Sequence, residues 1–102
     1  MKQLINSKTK LKQINDIIYS LVDDKAYIYF VNKSLSGTYI LPSYITVDGC
    51  KYILYGIGKA AFHNSSKLEK LFLPHTIAYL HDEAFTGCPA NIEYYSDTID
   101  AE

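Results

Sequence analysis

The chain has 102 residues, a net charge of −1, 48% hydrophobic and 21% charged residues. That length supports one domain with a real core and excludes a second, and the composition excludes intrinsic disorder. Near-neutral charge gives no electrostatic reason to expect nucleic acid or an anionic membrane as partner.

In chain order, the segment from Met1 to Asn15 carries Lys2, Lys8, Lys10 and Lys12 but no apolar run of signal-peptide length. No stretch anywhere is long and apolar enough to span a membrane as a helix. A complete chain is therefore expected to stay in the cytoplasm. A secreted or cell-surface domain stripped of its signal would read the same way. Next, Ile17–Val22 and Ala26–Val31 are rich in β-branched and aromatic residues around Asp23-Asp24-Lys25, which predicts a β-hairpin. A loop follows from Asn32 to Gly37. A short strand, Thr38 to Leu41, is stopped by Pro42, which cannot donate to a ladder. A second hairpin, Ile45–Val47 with Tyr52–Tyr55, turns at Asp48-Gly49, a dipeptide tolerant of positive φ.

Internal similarity then takes over. Ala61-Phe62 recurs 23 residues later as Ala84-Phe85, Ile57 as Leu80, and Ser65 as Cys88. Leu41-Pro42 and Leu73-Pro74 stand 32 apart, so the Asp48-Gly49 hairpin is an insertion of about nine residues in the first unit. Each unit offers a short strand, here Leu71-Phe72-Leu73, whose alternate residues face inward, followed by an Ala-Phe pair that fills the interior. One unit cannot bury its own apolar side, so neighbours must stack on it. The hairpin Ile17–Val31 is expected to cap the first strand.

The run Ile57-Gly58-Lys59-Ala60-Ala61-Phe62, Leu68, Leu71, Leu73-Pro74, Ile77, Leu80, Ala84-Phe85, Gly87-Cys88-Pro89 resembles the BspA-type leucine-rich repeat family. The leading segment Ile40-Leu41-Pro42, Asp48-Gly49, Tyr52, Ile57-Gly58 looks like that family's approach to its first repeat, and the resemblance covers about residues 38–95. It implies strands joined by irregular or short helical returns, in proteins that bind other proteins, mostly at cell surfaces. No catalytic activity attaches to the repeat. Two positions depart from the pattern: Ser65 replaces the usual cysteine, and Leu80-His81 stands where isoleucine–glycine is expected.

The expected fold is thus mostly β with short helical or irregular returns, a truncated leucine-rich-repeat solenoid capped by an N-terminal β-hairpin. Its parts are 1–37 as N-terminal segment and capping hairpin, 38–95 as the repeat array, and 96–102 as an acidic, frayed tail.

Chemistry-bearing residues are sparse. Gly56-Ile57-Gly58-Lys59-Ala60-Ala61 fits a loose dinucleotide pattern. A true site needs a βαβ unit and an acid about 20 positions on, where Ala78 stands instead. No cofactor is expected. His63, His75 and His81 are not spaced as ligands on one face, so no metal site is expected. Cys50 and Cys88 lack metal-ligand spacing. A buried free thiol is the reading for Cys88, and a Cys50–Cys88 disulfide would point instead to an oxidising compartment. The sequons Asn32-Lys33-Ser34 and Asn64-Ser65-Ser66 carry meaning only in a secreted chain.

All ten basic residues are Lys, and ten Tyr are present. Tyrosine suits half-buried strands, and it also suits binding faces. Charge is uneven: four Lys and one Asp lie in the first sixteen residues, against six acids and no base from Asp82 to Glu102. Strand alternation gives the best candidate surface. If Leu71, Leu73, Ile92 and Tyr94 point inward, then Thr38, Ile40, Lys70, Phe72, Glu93 and Tyr95 point outward. Ile40, Phe72 and Tyr95 would form an apolar strip. The function expected is a non-catalytic protein-binding module whose candidate residues are Ile40, Lys70, Phe72, Glu93 and Tyr95. The alternatives are a self-associating structural unit or homodimer, and a small intracellular inhibitor of another macromolecule.

Overall fold

A computed structural model describes residues 10–31, 35–63 and 65–96. Among the described residues, nine strands run in the order β1 (Lys10–Ile14), β2 (Ile17–Val22), β3 (Lys25–Val31), β4 (Ser36–Ile40), β5 (Tyr44–Val47), β6 (Cys50–Ile57), β7 (Lys67–Pro74), β8 (Tyr79–Leu80) and β9 (Asn91–Tyr95). They form two sheets. The first has six strands in the order β1-β2-β3-β6-β5, with β8 also on β6; the second is β4-β7-β9.

The hairpins sit where turn chemistry puts them. Between β2 and β3, Asp23 takes a positive φ of 57°, and the arms pair antiparallel from Val22–Lys25 to Ile17–Val31. Between β5 and β6, Asp48 and Gly49 take φ of 52° and 81°, as a two-residue hairpin turn requires. The parallel pairings follow the repeat. β3, β6 and β8 stack in one sheet, while β4, β7 and β9 stack in the other. The chain alternates between sheets, so β3 with β4, β6 with β7 and β8 with β9 make three successive rungs.

The core lies between the sheets and is built in layers from equivalent positions. Ile28 pairs with Ile57, Tyr39 with Leu71, and Leu71 with Ile92. Ile28, Ile57, Leu71, Leu73, Ala61 and Phe62 are fully buried. On β2, alternation buries Ile17, Tyr19 and Leu21 against this core. Burial raises the Tyr19 phenol well above its ordinary pKa, with neighbouring Tyr39 adding to the shift.

Three expectations need correction or extension. The returns, expected as short helical or irregular segments, are turns, and the described residues contain no helix. Residues 10–14 form a strand that the sequence reading missed, and its side chains are almost all exposed. Cys88 is half-buried rather than buried, and Cys50 is exposed; both are free thiols. The glycine-rich segment at Gly56 is followed by turns, not by a helix. Gly56 is needed for packing instead: a Cβ there would lie 2.6 Å from the Tyr27 ring and 3.0 Å from the Tyr79 carbonyl oxygen.

The loop expected at Asn32–Gly37 and the acidic tail lie partly outside the described residues, as do Asn64 and most of the lysine-rich start. No described helix is long and apolar enough to cross a membrane.

Candidate protein-binding face

The outer surface of β4-β7-β9 carries the residues singled out by strand alternation. In-register parallel strands point paired residues to the same side, so the pairings sort them directly. Thr38, Lys70 and Asn91 form one row, and Ile40, Phe72 and Glu93 form the next. Pro74 pairs with Tyr95 in the row beyond. In the intervening rows, Tyr39-Leu71-Ile92 and Leu73-Tyr94, Leu71 and Leu73 are buried, Tyr39 and Ile92 are half-buried and Tyr94 is exposed.

Ile40 is 53% exposed, Phe72 and Tyr95 are half-buried, and Glu93 is exposed. Lys70 ties the rows together. Its Nζ lies 3.2 Å from Glu93 Oε2 and 5.7 Å from the centre of the Phe72 ring. An ion pair this exposed contributes about 0–1 kcal/mol, so it orders the side chains more than it stabilises the fold. The Tyr95 hydroxyl donates to the Leu41 carbonyl and so reaches back over the sheet to the first rung. The Leu41 N–H in turn donates to the Phe72 carbonyl at 3.0 Å. All five candidate residues therefore share one face. Ile40, Phe72 and Glu93 stand in a single row, with Lys70 and Tyr95 on either side of it.

The histidines do not gather. His63 and His75 are exposed, and His81 is half-buried at the last rung. Among the described residues, no three of His, Cys, Asp and Glu come close enough to hold a metal ion.

Two departures from the repeat pattern acquire roles. Ser65 is fully buried, and its hydroxyl accepts the Leu35 N–H at 3.3 Å. His81 acts on the last return. In the second rung the Ala60 N–H donates to the Glu83 carbonyl of the third, at 2.9 Å. Glu83 occupies Ala60's position one repeat on, and its own N–H donates to His81 Nδ1 at 3.0 Å.

Strand alternation missed one feature of this end. Tyr94 has the inward register of Leu73 yet is 58% exposed, and Leu80, in register with buried Ile57, is 37% exposed. Strand register carried no signal for it, since register does not say what packs over a strand.

No protein-family model matches the chain, and no curated protein does. Among solved structures, it is similar to a leucine-rich repeat protein from Bacteroides capillosus ATCC 29799. The two share 17% identity over 82% of this chain and 64% of that one, with a TM-score of 0.66. The chain thus spans less than two thirds of that protein's length. At this identity the likeness is one of fold: the chain has a leucine-rich-repeat-like, mostly β architecture.

Proposed function

We propose that this chain is a protein-binding module that presents the outer face of β4-β7-β9 to its partner. In this reading the architecture is a short solenoid of the BspA type, with β1 and β2 as its N-terminal cap. The carrying observation is the aligned row Ile40-Phe72-Glu93, flanked by Lys70 and Tyr95. An apolar centre with a polar rim, fixed on strands, is the arrangement that protein interfaces use. Phe72 is its anchor: it lies mid-row, on the middle strand, with only part of its ring covered.

The test is affinity capture from the source cell with wild type and Phe72→Ala side by side. The variant should melt within about 1 kcal/mol of wild type, as expected for a partly exposed side chain, and should lose the captured partner. Undiminished capture by a folded Phe72→Ala protein would remove the reading.

A further inference from the structure

We infer that His81 is a pH-sensitive latch on the third return: its neutral imidazole holds the Glu83 N–H, and protonation of the ring releases it. The proposal is independent of the β4-β7-β9 face.

The second and third returns match turn for turn. The Gly58 N–H donates to the Ile28 carbonyl at 3.0 Å, and at the equivalent place the His81 N–H donates to the Ile57 carbonyl at 3.1 Å. The Ala61 N–H closes on the Gly58 carbonyl at 3.4 Å, and the Ala84 N–H closes on the His81 carbonyl at 3.0 Å. The side chain makes the difference. Gly58 has none, and the Ala60 N–H two residues on goes to the Glu83 carbonyl of the third return. In the third return the Glu83 N–H donates to His81 Nδ1 at 3.0 Å instead. His81 thus does with a ring nitrogen what asparagine or aspartate does in an Asx-turn, accepting the N–H two residues on.

That contact depends on the charge of the ring. Nδ1 accepts a hydrogen bond only in the neutral tautomer that carries its proton on Nε2, because both nitrogens of an imidazolium are donors. A protonated Nδ1 would set two donors against each other, so the ring must turn away from the Glu83 N–H. Histidine is the side chain that changes charge between about pH 5 and 8.

The surroundings of His81 give the charged ring somewhere to go. Its own return carries the carboxylates of Asp82 and Glu83. The second return, packed against it, brings Lys59, whose Nζ lies 3.8 Å from Glu83 Oε1 and competes for that carboxylate. His63 of the same return belongs to the other end of the loop, where its carbonyl faces Gly87. β6 meets His81 through the backbone of uncharged Ile57.

The latched segment is also the stitch between the two returns. The Glu83 carbonyl accepts the Ala60 N–H at 2.9 Å, and the carbonyl of fully buried Ala84 accepts the Phe62 N–H at 3.3 Å. Releasing the Glu83 N–H loosens this stitch and leaves the strand ladders untouched.

Nuclear magnetic resonance of the full chain, from about pH 7.5 down to about pH 5, tests the latch above the ordinary carboxylate range. The Glu83 amide signal should move with the titration of His81 and not with that of His63 or His75. Its protection from exchange, relative to the free-chain rate at each pH, should fall about 2- to 10-fold, as for one lost hydrogen bond. His81→Asn supplies an acceptor that does not titrate in this range, so it should keep the protection at both ends. His81→Gly, with no acceptor, should lack it at both. A Glu83 amide that ignores the His81 titration, or stays protected at the acid end, overturns the proposal. So does the same acid loss in His81→Asn, or full protection in His81→Gly.

Discussion

Tyr19 is a tyrosine used as a core residue, and its ionisation couples to folding. The buried phenol has its pKa raised above the ordinary value of 10.0, first by desolvation and then by Tyr39. Tyr39 is itself raised, by burial and then by Asp16. A raised acid favours the neutral form in the folded state, so its contribution is complete below pH 10.0 and falls as pH rises beyond it. The unfolded chain then loses a proton that the folded chain keeps. Thermal melts from pH 8 to 11.5 should therefore show stability dropping from about pH 10 upward. Tyr19→Phe, which keeps the ring and its volume, should flatten that drop, and an equally steep loss in the variant would assign it to other groups. Ser65 makes a different demand. Its hydroxyl satisfies the Leu35 N–H in a fully buried place, so Ser65→Ala leaves a backbone donor without its acceptor. Chemical denaturation should register a loss of about 1–3 kcal/mol. No change would mean that water or another acceptor replaces the hydroxyl.

Single strands and turns differ in how clearly the sequence announces them. The Asp48-Gly49 hairpin was legible because positive φ at two successive positions restricts residue choice strongly. The β2–β3 hairpin was legible because both arms are rich in β-branched and aromatic residues. β1 was not. Its five residues, Lys10 to Ile14, form an edge strand whose exposed lysines read as an unstructured lead-in, although charged side chains are what an exposed edge needs. The repeated Ala-Phe pair was legible as a core element, but its two copies are not equivalent. Phe62 is fully buried, whereas Phe85, 5.5 Å away between ring centres, is half-buried on the last rung. Phe62→Ala should cost about 3–5 kcal/mol, and Phe85→Ala clearly less. Equal losses in denaturant titrations would show that the last rung is as enclosed as the second.

For the molecule as a whole, periodicity revealed what repeats and left obscure how the repeats are tied together. The 23-residue shift set β8 opposite β6, the 32-residue shift of the Leu-Pro pair set β4 opposite β7, and strand alternation put Ile40, Lys70, Phe72, Glu93 and Tyr95 on one face, because register and alternation are local rules. Tying the repeats together depends on contacts between distant segments, such as the Leu35 N–H on the Ser65 hydroxyl and the Tyr95 hydroxyl on the Leu41 carbonyl, and no local pattern encodes those. The N-terminal strands carry a consequence at this scale. If β1 and β2 are removed by starting the chain at Asp23, the first rung loses Ile17, Tyr19 and Leu21 and exposes the edge of β3. An uncovered strand edge is a ready template for pairing with other chains. The shortened chain should therefore aggregate or polymerise, with light scattering that climbs with time, where the full chain stays of finite size. A shortened chain that remains a small species with a cooperative melt would show that β1 and β2 neither cover the core nor limit association.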